Sequence, residues 1–122
     1  MKNITVGING FGRIGRTLFR LLLKHPNIKV VAINDLANAE TLAHLLKYDS
    51  IHGVLDHKIS HKDHQILVDD REIPVLNHAH PKEIDWKSYD VDIVVESTGK
   101  FKSREDLELH LENGAKKVIL SV

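Results

Sequence analysis

The 122 residues contain no cysteine. Disulfides, thiolate metal sites and a thiol nucleophile are therefore excluded from this stretch of chain. Charge of one sign is also lacking, since 17 Lys plus Arg balance 17 Asp plus Glu. Without a basic excess nothing points to nucleic acid, and no acidic tail is present. Long hydrophobic runs are missing too. The uninterrupted apolar segments are a few residues each, far short of a membrane span. The first residues show neither the apolar core nor the cleavage site of a secretory leader, so a cytoplasmic setting is the expectation. Repeats, low-complexity segments and linkers are absent. What remains, 42% apolar and 28% charged residues, is the composition of one ordinary globular domain. A chain of this length can bury roughly two-thirds of its unfolded surface.

Strand and helix periods alternate along it. Ile4–Ile8 is apolar enough for a buried strand. Ile14, Leu18, Leu21 and Leu22 then fall on one helical face, and Pro26 predicts a stop near Lys24–His25. The run IKVVAIN (28–34) predicts a second buried strand. Asn38 is a candidate N-cap for a helix carrying Leu42, Leu45 and Leu46. The pieces HKIS (57–60), QILV (65–68) and EIPV (72–75), broken by turns such as Asp69–Asp70, predict an antiparallel meander with Pro74 on an edge. VDIVVES (91–97) reverts to the buried type. Ser103 and Asp106 match a capping box before Leu107 and Leu111, Gly114 suits the helix end, and KVILSV (117–122) predicts a last buried strand. The fold class is α/β: a Rossmann-like, doubly wound, mostly parallel sheet with right-handed crossovers and a small antiparallel insertion at about 55–76. Because the chain stops on apolar Val122, we expect further chain to follow. An exposed last strand would invite pairing with another copy.

The densest signal is INGFGRIGR (8–16), preceded by Gly7. Gly10, Gly12 and Gly15 make G-x-G-x-x-G. The match gains weight because it follows a strand, opens a helix, and is answered by Asp35, 20 positions beyond Gly15 at the end of the next strand. Each residue has a physical task. Gly10 allows a tight turn, Gly12 leaves the main chain open to a pyrophosphate, and Gly15 lets helix and sheet approach. Free amides at the helix start, with the positive end of its dipole, then face the phosphates. Asp35 can accept from both hydroxyls of an adenosine ribose and would repel a 2′-phosphate, which favours NAD over NADP. Arg13, inside the motif, is expected on the phosphate side.

INGFGRIGR, VVAINDL, LLKYDSIHG, VDIVVESTGKF and GAKKVILS together resemble the N-terminal NAD-binding part of phosphorylating glyceraldehyde-3-phosphate dehydrogenase, in order and along essentially the whole chain. The resemblance makes residues 1–122 one NAD-binding domain. It implies cofactor contacts at Asn9, Phe11, Gly12, Arg13 and Ile14, and at Asn34 and Asp35. Ser97, Thr98, Gly99 and Phe101 would line the nicotinamide side, with Ser121 beside the cofactor. It further implies the oxidation and phosphorylation of D-glyceraldehyde 3-phosphate in glycolysis, by a homotetramer. The family's nucleophilic cysteine, histidine base and phosphate-binding residues belong to a second domain beyond residue 122. These residues alone are therefore expected to bind NAD weakly without turnover, and to meet substrate only through that domain. Two departures stand out. Asn77, His78, Ala79 and His80 replace the family's acidic–arginine pair near the adenine, and Val54 stands where Arg is common after HG. Two other readings stay open: the cofactor domain of erythrose-4-phosphate dehydrogenase, and a non-enzymatic dinucleotide sensor.

Other constellations are weaker. His57, His61 and His64 would cluster on a helix, but the segment predicts strands and turns, so no metal site is expected. Glu96 or Asp92 could act as a base at a strand end. The simpler reading has Asp92 solvated and Glu96 hydrogen-bonded near the turn. Trp86 and Tyr89 read as packing rather than a base-stacking platform, and Lys116–Lys117 as solvent-facing.

Overall fold

The computed structural model of the chain describes residues 3–49 and 53–121. Its elements, in order, are β1 (Ile4–Asn9), α1 (Arg13–Leu22), β2 (Ile28–Asn34), α2 (Ala39–Lys47), β3 (Tyr48–Asp49), β4 (Gly53–Val54), β5 (Ile59–Lys62), β6 (Gln65–Val68), β7 (Arg71–Leu76), β8 (Ile93–Glu96), α3 (Arg104–Glu112) and β9 (Lys117–Leu120). Two 3-10 turns, Pro81–Glu83 and Trp86–Tyr89, lie between β7 and β8. Seven strands form one sheet in the order β5-β6-β7-β2-β1-β8-β9. Strand β1 sits between parallel neighbours, with Val6 opposite both Val30 and Ile93. The fold class expected from the sequence is the one observed.

The meander is antiparallel as expected, yet it continues the main sheet, because β7 joins β2 in parallel at Val75 and Leu76. Pro74 is consequently inside the sheet and not on an edge strand. It is tolerated because pairing with β2 begins only at Val75, so the missing N–H leaves no ladder acceptor empty. The first meander strand starts at Ile59 rather than at His57. His57 Nδ1 and the Lys58 amide are both engaged by the Asp69 carboxylate at 3.0 Å, which ties them to the next turn. The short β3–β4 pair was not anticipated. Ser50, Ile51 and His52 of the LLKYDSIHG motif, the Val54 side chain and Val122 lie outside the described residues.

Side-chain alternation in the strands separates two cores. One face gathers Val6, Ile8, Phe11, Phe19, Ile33, Leu42, Leu46, Ile66, Ile73 and Val95 under α1 and α2. Ala32, Ile84, Trp86, Val91, Val94 and Ala115 pack together on the other. Four helix and strand faces need correction. On α1, Leu18 and Leu22 pack half-buried against the first of these cores as expected, but Ile14 and Leu21 are 42% and 52% exposed, and the fully buried residues are Gly15 and Phe19. A glycine that meets the sheet by its backbone carries no hydrophobic signal. On α2, Leu42 and Leu46 are buried with Ala39 and Ala43, while Leu45 faces outward. On α3, Leu111 is exposed and the buried residue is His110. Strand β9 is not buried either. It is an edge strand, paired only with β8 among the described residues, and Ile119 is 52% exposed. Both proposed N-caps form: Asn38 Oδ1 accepts from the Thr41 amide at 2.8 Å and Ser103 Oγ from the Asp106 amide at 3.1 Å.

Candidate functional site

The parallel strands β1, β2 and β8 all end on the same side of the sheet, where a crevice opens beyond their carboxyl ends. The chain leaves β1 through the glycine turn. Gly10 has φ +94°, and a Cβ there would lie 2.7 Å from the Thr98 amide. That conformation and that approach both exclude a side chain. The turn is fixed by the Gly10 amide donating to Asn34 O at 2.8 Å, and by Ser97 Oγ donating to Gly10 O at 2.6 Å. A Cβ on Gly15 would come within 2.4 Å of the same Gly10 carbonyl, so turn and helix are locked together. Gly12 differs: a Cβ there would meet nothing within 4 Å. Gly12 is the N-cap of α1, has no side chain to cap it, and is followed by no acidic residue in the first turn. The start of α1 therefore presents amide hydrogens and a positive dipole end to open space, an arrangement suited to an anion.

Across the crevice stands Asp35. Its Oδ2 accepts from the Phe11 amide at 2.8 Å and its Oδ1 from the Ala37 amide at 2.9 Å. Each carboxylate oxygen has a further lone pair, so the group is oriented while still able to accept from a pair of hydroxyls. Behind it runs a ladder of amides. Asn34 Nδ2 donates to Asn9 Oδ1 at 2.8 Å and to His78 O at 2.9 Å, and Asn34 Oδ1 accepts from the His78 amide at 2.9 Å.

The crevice encloses about 320 Å³. Of the expected cofactor residues, Asn9, Gly10, Gly12, Asn34, Asp35, Ser97, Thr98 and Phe101 form its wall, joined by Leu36, His78, Ala79 and Lys100. The remaining six sit elsewhere. Phe11 is fully buried, its ring edge-on to Phe19 at 5.7 Å, and it reaches the site only through its amide. Arg13 and Ile14 are exposed on the first turn of α1, Gly15 is buried beneath it, and Gly99 is exposed. Ser121 follows β9, its amide donating to Glu96 O at 2.9 Å. Leu36 and Lys100 belong to the stretches VVAINDL and VDIVVESTGKF without an expected contact of their own, and His78 and Ala79 lie in the segment expected near the adenine. His78 and Ala79 are brought in by the chain returning from β7, and Phe101 meets His80 at 5.3 Å between ring centroids.

Glu96 is hydrogen-bonded near the turn, as expected, but it is also fully buried. Its Oε1 accepts from Asn9 Nδ2 at 2.7 Å and faces His110 Nε2 at 2.8 Å, and its Oε2 accepts from the Thr98 amide at 3.0 Å and Thr98 Oγ1 at 2.7 Å. Burial raises the pKa of this carboxyl, and the bonds from His110, Thr98 and Asn9 outweigh it, so the group is held below the ordinary carboxylate range. Asp92 is less solvated than expected: Oδ2 accepts from the Thr5 amide and Oδ1 pairs with Lys116 Nζ, both at 3.1 Å. Trp86 is fully buried, in keeping with a packing role. Among the described residues no group of three His, Cys, Asp or Glu gathers to hold a metal. His57 instead pairs with Asp69. A larger depression of about 510 Å³ lies over α2 and β5, between His44, Tyr48 and His61. It has no glycine turn, and the helix start that borders it, at Glu40 and Thr41 of α2, is already capped by Asn38. Among the described residues no helix is long and apolar enough to cross a membrane.

Comparison with known proteins agrees with this geometry. Residues 4–104 match the family model described as glyceraldehyde 3-phosphate dehydrogenase, NAD binding domain. The chain is similar to the glyceraldehyde-3-phosphate dehydrogenase of Geobacillus stearothermophilus, with 58% identity over 97% of this chain and 35% of the relative. It also resembles the same enzyme of Mycoplasma pneumoniae, with 52% identity over 98% of this chain and 36% of the relative. The Thermotoga maritima enzyme is 52% identical over 95% of this chain and 35% of the relative. The chain thus spans about a third of the length of the relatives it matches.

Proposed function

From the premise that this chain belongs to the glyceraldehyde 3-phosphate dehydrogenase family as its NAD-binding domain, we propose that the crevice at the ends of β1, β2 and β8 is where NAD is held for oxidation of an aldehyde. The observation that carries this reading is the uncapped start of α1 facing the doubly anchored carboxylate of Asp35. The amides at Gly12 and the first turn of α1 would hold the pyrophosphate, with Arg13 adding positive charge from the surface. Asp35 would take the adenosine hydroxyls and disfavour a 2′-phosphate by like charge. Ser97, Thr98 and Gly99 would flank the nicotinamide side together with Ser121. Phe101, whose ring meets His80, fits the adenosine side better than the nicotinamide side. Bound there, the cofactor supplies a hydride acceptor.

The names of the relatives support glyceraldehyde 3-phosphate as the substrate; from the sequence resemblance we further infer that oxidation is coupled to phosphorylation, in a homotetramer in the cytoplasm. Those names favour this substrate over erythrose 4-phosphate. The reaction needs a thiol nucleophile, a base and phosphate-binding groups. With no cysteine in the 122 residues, we place those groups on chain outside this stretch. The division of labour is tested by calorimetric titration of the 122-residue chain. NAD should bind weakly and more tightly than NADP, with no turnover of the aldehyde. Tighter binding of NADP, or turnover by the isolated chain, would contradict it.

A further inference from the structure

Four hydrogen-bond donors converge on one carboxylate beneath the crevice. Glu96 accepts from Asn9, from His110, and twice from Thr98. Behind His110 the chain of bonds continues, since Trp86 Nε1 lies 2.9 Å from His110 Nδ1. Indole nitrogen only donates, so Nδ1 is the acceptor and the ring proton sits on Nε2, aimed at Glu96. All of these side chains except that of Thr98 are fully or almost fully buried. A buried charge is a poor way to gain stability, because apolar replacements of similar volume often serve as well. What the carboxylate does offer is four acceptor positions in a fixed plane, with their partners on both walls of the crevice. One wall is Thr98, whose amide also blocks the space beside Gly10. The other is reached through Asn9, which accepts from Asn34, which in turn grips the His78 backbone.

We propose that Glu96 is a positioning residue for the cofactor: held by His110 and Trp86, it sets the spacing between the Thr98 wall and the Asn34–His78 wall without touching the ligand. The proposal rests on the NAD reading above. It requires a carboxylate specifically. In Glu96→Gln the side-chain amide must point its hydrogens either at the two Thr98 donors or at Asn9 and His110, and one wall is pushed away. His110→Gln, by contrast, keeps one acceptor for Trp86 and one donor for Glu96.

The test compares NAD affinity with stability in the 122-residue chain, using calorimetry and urea unfolding. Glu96→Gln should weaken NAD at least tenfold, about 1.4 kcal/mol. Val94→Ala, which opens a cavity on the same strand, should lower the urea midpoint yet keep NAD affinity within about twofold of wild type, and His110→Gln should stay within about threefold. The unaltered chain gives an independent readout by amide NMR. Saturating NAD should move both the Thr98 amide and the indole N–H of Trp86, the one tryptophan. Wild-type affinity in Glu96→Gln, an equal loss of affinity in Val94→Ala, or an unmoved indole resonance would overturn the positioning role while leaving the NAD reading intact. Absence of NAD binding by the wild-type chain would instead overturn the reading itself, and this proposal with it.

Discussion

The two faces of the sheet are built from different materials. The face under α1 and α2 is hydrocarbon: Ile8, Phe19, Ile33, Leu46, Ile66 and Ile73 are all buried without a polar atom to satisfy. The opposite face has a smaller apolar cluster around Trp86, and beside it lie a buried carboxylate, an imidazole and two asparagines tied by hydrogen bonds. The first face needs volume and tolerates rearrangement within it. The second needs each donor matched to an acceptor, and it is the one connected to the crevice. Stability and cofactor geometry are therefore separable by mutation.

The largest expected effect is on the hydrocarbon face. Phe19→Ala removes a fully buried ring that also packs edge-on against Phe11, and should cost about 3–5 kcal/mol in urea unfolding. NAD affinity of the molecules that remain folded should change little. On the polar face, His110→Leu leaves the Trp86 N–H without its acceptor and takes one of the four donors from Glu96, for a loss of about 2–3 kcal/mol. Here NAD affinity should fall as well, and a loss of stability with unchanged affinity would break the contrast between the faces. Asn38→Ala deletes the cap of α2 and should cost about 1 kcal/mol, with no effect on NAD.

The smallest effect is on acid sensitivity. The Thr5 amide and Lys116 hold the Asp92 carboxyl below its ordinary value of 3.8. A carboxyl whose pKa is lowered on folding stabilises the native state at higher pH, and that contribution fades as pH drops from the ordinary value through the lowered one. Glu96 is shifted in the same direction. Unfolding midpoints measured below about pH 4 should fall less steeply for Asp92→Asn than for wild type. A parallel displacement of the two curves would count against the assignment.

How much of this was legible in the sequence follows the same division. The parallel strands could be read because near-continuous apolar runs such as IKVVAIN (28–34) exceed what any exposed strand needs. The glycine turn could be read because Gly10, Gly12 and Gly15 have fixed offsets and Asp35 answers them at a known distance. The buried face of α1 is legible only in part. Leu18 and Leu22 do pack on the core, and Gly15 makes the expected close approach to the sheet, but Ile14 and Leu21 point outward and the periodicity passes over the fully buried side chain, Phe19. His110 escaped notice for a related reason: one histidine among leucines looks polar, and its burial depends on Trp86 and Glu96, which lie 24 and 14 residues away. His78 and Ala79 reach the crevice wall by the return of the chain after β7, which no local pattern encodes, whereas Leu36 and Lys100 come with their motif neighbours Asp35 and Phe101.

The most direct test of the account is an amide NMR titration of the uniformly labelled 122-residue chain with NAD. The amides of Phe11, Gly12, Arg13 and Ile14 should shift first and furthest, since they surround the open start of α1 and its link to Asp35. Resonances around His44, Tyr48 and His61, in the larger depression, should stay still. Shifts confined to that depression, with the start of α1 unmoved, would contradict the claim that free helix-start amides are what the cofactor's phosphates engage.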